Sequence, residues 1–247
     1  MNLRVKTATR NPVPHRAETK PGFYCASLVA FAGLIVLLSI LPGRAAGPAT
    51  VTYSQNFPGS DPEQYSITVQ SHGRGHYECT AKISADSDDR ESYQTEFNFS
   101  DATRARIFDL AAQSNYFSGK IDSGKRKLAF TGAKKLSYKD GLHESEAAFN
   151  YSSVPAVQQL TILFQGVAAT LEYGRRLAYF HRYQKLALDD ELKKMEDQAR
   201  GGALIELQAV KPVLQEIYDD GSVMNVVRAR ALRIMEIGDS VTAGASH

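Results

Sequence analysis

Three short stretches between residues 65 and 99 alternate apolar and polar side chains with a period of two. The first stretch has apolar side chains at Tyr65, Ile67 and Val69, and the alternation resumes after the turn Gly73-Arg74-Gly75. The apolar positions that follow this turn are Tyr77, Cys79, Ala81, Ile83, Tyr93, Phe97 and Phe99. Such a period is typical of strands with one buried face. The pattern predicts a β-hairpin followed by a third strand.

A helix is predicted directly after these strands. Ser100 is a residue type that caps helices, and Asp101 follows it in the first turn. Ile107, Leu110 and Ala111 then recur at helical spacing, which predicts a helix of about 14 residues with one apolar face.

A second hairpin is predicted over residues 133–151, because Asp140-Gly141 is a strong two-residue turn signal. A two-residue loop places Tyr138 opposite His143 and Leu136 opposite Ser145. The buried face of the hairpin is then shared by Leu136, Tyr138, Ala147, Phe149 and Tyr151.

Beyond Ser153 and Pro155 the spacing of apolar residues becomes helical. The first apolar stripe comprises Leu160, Leu163, Phe164, Val167 and Leu171. After Gly174 the apolar positions rotate around the helix, which indicates either a kink or a second packing partner. Further helices are predicted to begin at Asp189, near residue 203 and at Ser222.

Together these patterns predict an α+β fold: an antiparallel meander sheet with one intervening helix, followed by an all-helical C-terminal region. Residues 46–64 are rich in Gly, Pro, Ser and Asp and are expected to form a linker around one possible short strand, 51–57. We expect the sheet domain over 65–153 and the helical region over 154–237. Gly238 is expected to end the last helix, leaving 238–247 as a disordered tail.

The segment Phe23–Leu41 carries no charged residue and follows a basic stretch, which is the arrangement of an export signal. Gly43-Arg44-Ala45 satisfies the small-x-small rule for cleavage after Ala45. The apolar run is also nearly long enough to cross a bilayer as a helix. Residues 1–45 are therefore either a cleaved signal peptide or an N-terminal membrane anchor through 23–41. In both cases everything after Pro42 is exported to the periplasm or the outside.

The charges are unevenly placed along the chain. Residues 1–45 hold six of the 29 Lys and Arg residues and one of the 27 Asp and Glu residues, which leaves the remainder with a net charge of −3. A mildly acidic body favours no nucleic-acid partner. The two cysteines are Cys25, inside the apolar run, and Cys79. One exported chain therefore has no disulfide framework.

The stretch "SHGRGHYEC" places His72, His76, Glu78 and Cys79 within eight positions, which suggests a metal site. Strand geometry argues against that site, because Cys79 is expected to face the core while His76 and Glu78 point the opposite way. The same placement favours a buried thiol over a nucleophile. Asn98 and Asn150 match the glycosylation sequon, a short pattern that also occurs by chance.

Residues 173–185 interleave basic and aromatic side chains, a mixture that binds phosphates and stacks bases. Acidic residues flank the stretch on both sides. We therefore expect a helix that packs its aromatic rings and keeps its basic groups in water, with anionic lipid or an envelope polymer as the functional alternative.

The string Gly238-Asp239-Ser240-Val241-Thr242-Ala243-Gly244 resembles the nucleophile block of the GDSL (SGNH) hydrolases. This resemblance implies that Ser240 is the nucleophile of an α/β hydrolase. In that family the block follows the first strand, and later blocks supply the oxyanion groups and the activating Asp-x-x-His pair. Here only Ala245, Ser246 and His247 follow it. A serine without a positioned base is a weak nucleophile.

The sequence thus assigns no catalytic, cofactor-binding or metal-ligating residue. It predicts an exported or membrane-anchored envelope protein that acts as a non-catalytic binding or structural module, with an unidentified protein or cell-envelope partner. The alternative is an exported hydrolase that uses Ser240.

Overall fold

A computed structural model of the chain describes residues 47–82, 89–124 and 129–244, without the side chains of 241–244. The segment 23–41 and the cleavage site after Ala45 lie outside these residues. The described strands are β1 (Thr50–Asn56), β2 (Gln64–Gln70), β3 (Arg74–Lys82), β4 (Arg90–Asn98), β5 (Ala133–Lys139) and β6 (Glu144–Phe149).

These strands form one antiparallel sheet in the order β4-β3-β2-β1-β5-β6. The predicted mixed α+β class and the antiparallel sheet are confirmed. The chain is not a simple meander, however, because β5 pairs with β1 rather than with β4. The helix that was predicted after the third strand, α1 (Asp101–Gln113), lies between β4 and β5 in the chain.

Strand β1 matches the one possible short strand that was expected within the linker, but it lies in the interior of the sheet. Val51 and Tyr53 are fully buried, and the strand is hydrogen-bonded to β2 on one side and to β5 on the other. The alternation of apolar and polar residues in β1 is short, and a turn that contains Pro and Gly follows it. Its pairing with β5 joins residues far apart in the sequence, which local patterns do not report.

The β5–β6 hairpin buries Leu136, Tyr138 and Phe149 as predicted. Its register differs from the prediction, and Tyr151, which was expected on the buried face, is exposed. Tyr138 pairs with Ser145 rather than with His143, and Leu136 pairs with Ala147. The loop is longer than two residues because the Asp140 carboxylate accepts hydrogen bonds from the backbone N–H groups of Leu142 and His143. A slip of two residues preserves the face that each side chain occupies.

The described helices after β6 are α2 (Pro155–Tyr183), α3 (Leu188–Arg200), α4 (Lys211–Asp219) and α5 (Asn225–Gly244). Helix α2 continues through Gly174, so the rotation of its apolar positions reflects a second packing partner. A Cβ atom at Gly174 would lie 2.5 Å from Cγ1 of Val210, and one at Gly166 would lie 2.9 Å from the carbonyl oxygen of Ala203. Both glycines therefore let the segment before α4 approach α2 closely.

Helix α5 extends beyond the predicted end at Gly238. A Cβ atom at Gly238 would lie 3.0 Å from Cβ of Leu207, so this glycine serves close packing within the helix. Lys211 of α4 also pairs with Asp239 at 2.8 Å, which holds the added turn in place. Residues 238–244 are therefore helical, and the expectation of a disordered tail is wrong for them.

Helix α2 lies across one face of the sheet. The ring of Phe164 stacks on that of Tyr53, with centroids 5.3 Å apart and the planes 1° from parallel. The second half of α2 packs against α3 and α4, and α5 packs against both of those helices. Within the described residues, no helix has both the length and the apolar composition needed to cross a bilayer.

Candidate functional site

A buried polar cluster joins the sheet to α2. Tyr77 and Cys79 of β3 face inward and donate hydrogen bonds to Oε1 of Glu172 over 2.7 and 3.2 Å. Arg175, one helical turn further along α2, binds the other oxygen of Glu172 through two nitrogens at 3.0 Å each. Arg175 also donates to the backbone carbonyl of Lys82 over 3.2 Å. Each oxygen of this buried carboxylate therefore has at least one donor.

The buried, fully hydrogen-bonded setting of this cluster disfavours acid–base and nucleophilic chemistry. Burial, followed by the adjacent charge of Glu172, raises the pKa of the Cys79 thiol to about 12. Burial also raises the pKa of Tyr77 far above its usual range. A reactive cysteine needs a lowered pKa and access to solvent, and Cys79 has neither. The prediction that Cys79 faces the core is confirmed, and its role in the cluster is to pin α2 to β3.

Two further polar groups, the half-buried Gln55 and the buried Lys134, extend the inner face toward β5. Oε1 of Gln55 accepts hydrogen bonds from Tyr53, Tyr65 and Gln165 at 2.8, 3.1 and 3.0 Å. The ammonium group of Lys134 donates to three backbone carbonyls and to the Thr131 hydroxyl at 2.8–3.2 Å. Burial lowers the pKa of Lys134. The Gln55 oxygen and the Lys134 ammonium group are therefore also satisfied internally.

The structure separates the residues of the suggested metal site. His76 and Glu78 lie on the outer face of β3, opposite Cys79, and Nδ1 of His76 is 3.0 Å from Glu96 on β4. Among the residues that the structure describes, no group of three or more His, Cys, Asp or Glu side chains is arranged to hold a metal ion. The expected division of this strand into two faces is confirmed.

Ser240 lies within α5 rather than after a strand. Its hydroxyl donates a hydrogen bond to the backbone carbonyl of Ile237 over 2.8 Å, as serines inside helices commonly do. Asp239 is paired with Lys211. In the hydrolase family the nucleophile block follows a strand, so the local structure around Ser240 differs from that of the family it resembles.

The basic and aromatic residues of 173–185 are placed differently from the expectation. Arg175 is buried in the cluster with Glu172, and Arg176 binds Glu191 of α3 over 2.6 Å. Tyr183, by contrast, is exposed at the end of α2. The expected packing of all the rings with all the basic groups in water is therefore wrong. Arg175 and Arg176 instead form ion pairs with acidic residues of the helical region.

The outer face of the sheet is open and carries a groove of about 660 Å³ that crosses all six strands. Two neighbouring cross-strand rows of outward side chains line it. The first row, from β4 to β6, is Gln94, Glu78, Ser66, Ser54, Lys135 and Ala148. The second row, from β4 to β5, is Ser92, Thr80, Gln64, Asn56 and Ala133.

Small neutral polar side chains occupy the middle of this groove, on β1 and β2. The charged side chains near it have partners on the same face: Ser66 donates to Glu78 over 2.9 Å, and Lys135 pairs with Glu146 at 3.0 Å. Hydroxyl and amide groups both donate and accept hydrogen bonds. The middle of the groove can therefore bind a polar ligand through neutral groups, and the Glu78 carboxylate beside it disfavours an anion.

No protein-family model matches this chain, and a search of the curated proteins finds no match to it. The comparisons therefore assign no family, and the geometry of the groove is the main guide to function.

Sequence reasoning missed both the cluster and the groove. Glu172 and Arg175 stand at the i,i+3 spacing of a helical ion pair next to the apolar stripe of α2, which was a usable signal for a buried pair. The groove had no such signal. It requires β1 between β2 and β5, and β1 was expected to lie in the linker.

Proposed function

We propose that this protein is an exported, non-catalytic binding module of the cell envelope, and that the cross-strand groove is its ligand site. Export rests on the charge-free run 23–41 and its basic flank, which lie outside the described residues. In this proposal the body is released after cleavage near Ala45 or held at the membrane by 23–41.

The groove is the observation that carries the proposal. An antiparallel sheet can expose one face to water without any special role. This face, however, carries a groove across six strands, and the volume of that groove, about 660 Å³, lies within the range of ligand sites. The helices cover only the other face. A ligand can therefore reach the groove without any rearrangement of the core.

The state of the nucleophilic groups favours binding over catalysis. The Cys79 thiol is buried and donates to Glu172, and the Ser240 hydroxyl donates to a carbonyl of its own helix. Lys134 is buried among carbonyl oxygens. Cys79 and Lys134 belong to the strands that line the groove, but their reactive atoms are bonded within the protein, which favours a non-catalytic module.

Fractionation of cells followed by N-terminal sequencing tests the export part. We expect either a soluble exported chain that starts near Ala46 or an intact chain in the membrane fraction. A chain that stays in the cytoplasm would contradict export.

Co-sedimentation with envelope material tests the binding part. We expect the protein to sediment with purified cell-envelope fragments. The Ser66→Trp variant should have a bound fraction at least about tenfold lower, because the indole ring fills the middle of the groove. Leu186→Trp is the matched control, since Leu186 is exposed on the helical region, away from the sheet. Both variants need unchanged unfolding curves. Equal binding of Ser66→Trp and the parent protein would refute the groove as the binding site.

A further inference from the structure

The side chains of the groove also indicate the class of ligand. Its centre is built from Ser54, Asn56, Gln64, Ser66 and Thr80, which are all neutral and all able to donate and to accept a hydrogen bond. A ligand that matches this lining presents many groups that also do both. Hydroxyl and acetamido groups have this property, whereas carboxylates and phosphates only accept.

The charges on the same face argue against an ionic ligand. Near the groove Lys135 is neutralised by Glu146, and Glu78 is bound by the Ser66 hydroxyl. At the other end of β3, Arg74 binds Glu96 at 2.8 Å. Binding an anionic polymer would require these pairs to break, and it would gain little because nucleic-acid and polyanion sites present several unpaired cations.

The direction of the groove argues against an added peptide strand. Peptides that bind sheets usually pair with the backbone of an edge strand. Here the groove runs across the strands, and the backbone groups beneath it are already paired within the sheet. Five strand spacings give the groove a length of about 24 Å, which suits an extended chain with polar groups along its whole length.

We propose that the groove binds a neutral glycan chain, with sugar hydroxyl and acetamido groups bonded to the Ser, Thr, Asn and Gln side chains of β1 to β3. This inference rests on the proposed function, because it names the ligand of the same groove. The glycan lies across the strands, and the paired charges of β5, β6 and the β3–β4 edge border it.

A single tryptophan provides the test, because the chain contains none. Ala148 is exposed at the β6 end of the groove, so Ala148→Trp places a fluorophore beside the ligand without filling the centre. The full chain is titrated with a β-1,4-linked hexasaccharide of N-acetylglucosamine. We expect a saturable change in emission, and no change in the Leu186→Trp control.

A second substitution then tests the lining. In the Ala148→Trp background, Gln64→Glu places a charge between the neutral side chains of Asn56 and Thr80, and we expect it to weaken binding of the hexasaccharide at least about tenfold. Gln198→Glu, at an exposed position of α3, is the matched charge control and leaves the affinity unchanged.

The outcomes separate the two proposals. Saturation by a neutral Gly-Ser heptapeptide but not by the hexasaccharide would overturn the glycan and assign the groove to peptides. Saturation by heparin alone would overturn it in favour of an anionic polymer. If none of these ligands saturates while Ser66→Trp still abolishes envelope binding, the ligand class is wrong and the proposed function stands. If envelope binding is insensitive to Ser66→Trp, both proposals fail.

Discussion

The two faces of the sheet use polar side chains in opposite ways. On β3, Cys79 points inward and Glu78 points outward from adjacent positions. The inward thiol belongs to a cluster with Tyr77, Glu172 and Arg175 in which each polar group has a protein partner. Outward from the same strand, the groove side chains face water. A buried polar group costs free energy unless it is paired, whereas an exposed one is satisfied by water and can exchange that water for a ligand. The inner face therefore holds the fold together, and the outer face is available for binding.

We expect the largest difference in the free energy of unfolding when the glutamates of the two faces are substituted. Glu172→Leu leaves Arg175 buried without its partner and should lower the free energy of unfolding by about 3–5 kcal/mol. Glu78→Leu, on the exposed face, should change it by about 0.5 kcal/mol or less. Urea denaturation of the purified variants measures both. The double variant Glu172→Leu/Arg175→Met should recover most of the loss, and equal effects of the two single changes would contradict the distinction between the faces.

A second test compares the reactivity of thiols on the two faces. A pKa near 12 lowers the thiolate fraction of Cys79 at pH 8 by about a thousandfold relative to an ordinary thiol, so its alkylation should be slower by a similar factor. Its rate should continue to rise with pH up to about 12. Ser54→Cys, on the outer face, should react as an ordinary thiol and level off near its usual pKa. Mass spectrometry of the alkylated peptides follows each site and excludes Cys25. Rapid alkylation of native Cys79 would show that the cluster is open.

The smallest expected difference compares neighbours on β1. Val51 is fully buried, and Val51→Thr places a hydroxyl in the core at a cost of about 1–3 kcal/mol. Thr52 lies on the outer face, where its hydroxyl is 3.0 Å from that of Thr68. Thr52→Val should change stability by about 0.5 kcal/mol or less. Thermal and urea unfolding of the two variants measure the contrast, and a larger loss for Thr52→Val would reverse the assignment of the faces.

Much of the fold could be predicted from local patterns. The alternation of Tyr77 and Cys79 with His76 and Glu78 correctly divided β3 into two faces, and Ser100 and Asp101 marked the start of α1. Errors arose where a distant contact overrides a local signal. Gly238 was expected to stop a helix, but it packs against Leu207 inside α5. The Asp140 carboxylate lengthens the β5–β6 loop by binding two backbone N–H groups.

The candidate site was beyond the reach of such patterns. Local spacing separated the outward residues from the inward ones on each strand, and it correctly placed His76 and Cys79 on opposite faces of β3. It did not bring Ser54 of β1 between Ser66 of β2 and Lys135 of β5, because strand order depends on pairings over long stretches of chain.

The sequence by itself determined the composition of the two faces of each strand, the helical second half of the chain and the charge-free run 23–41. These properties follow from side-chain periodicity and hydropathy, which are local. Only the tertiary structure decided that β1 lies inside the sheet, that Glu172 meets Tyr77 and Cys79, and that the outward side chains of six strands line one groove. These features depend on contacts between distant segments, which become favourable only when the whole sheet and α2 pack together.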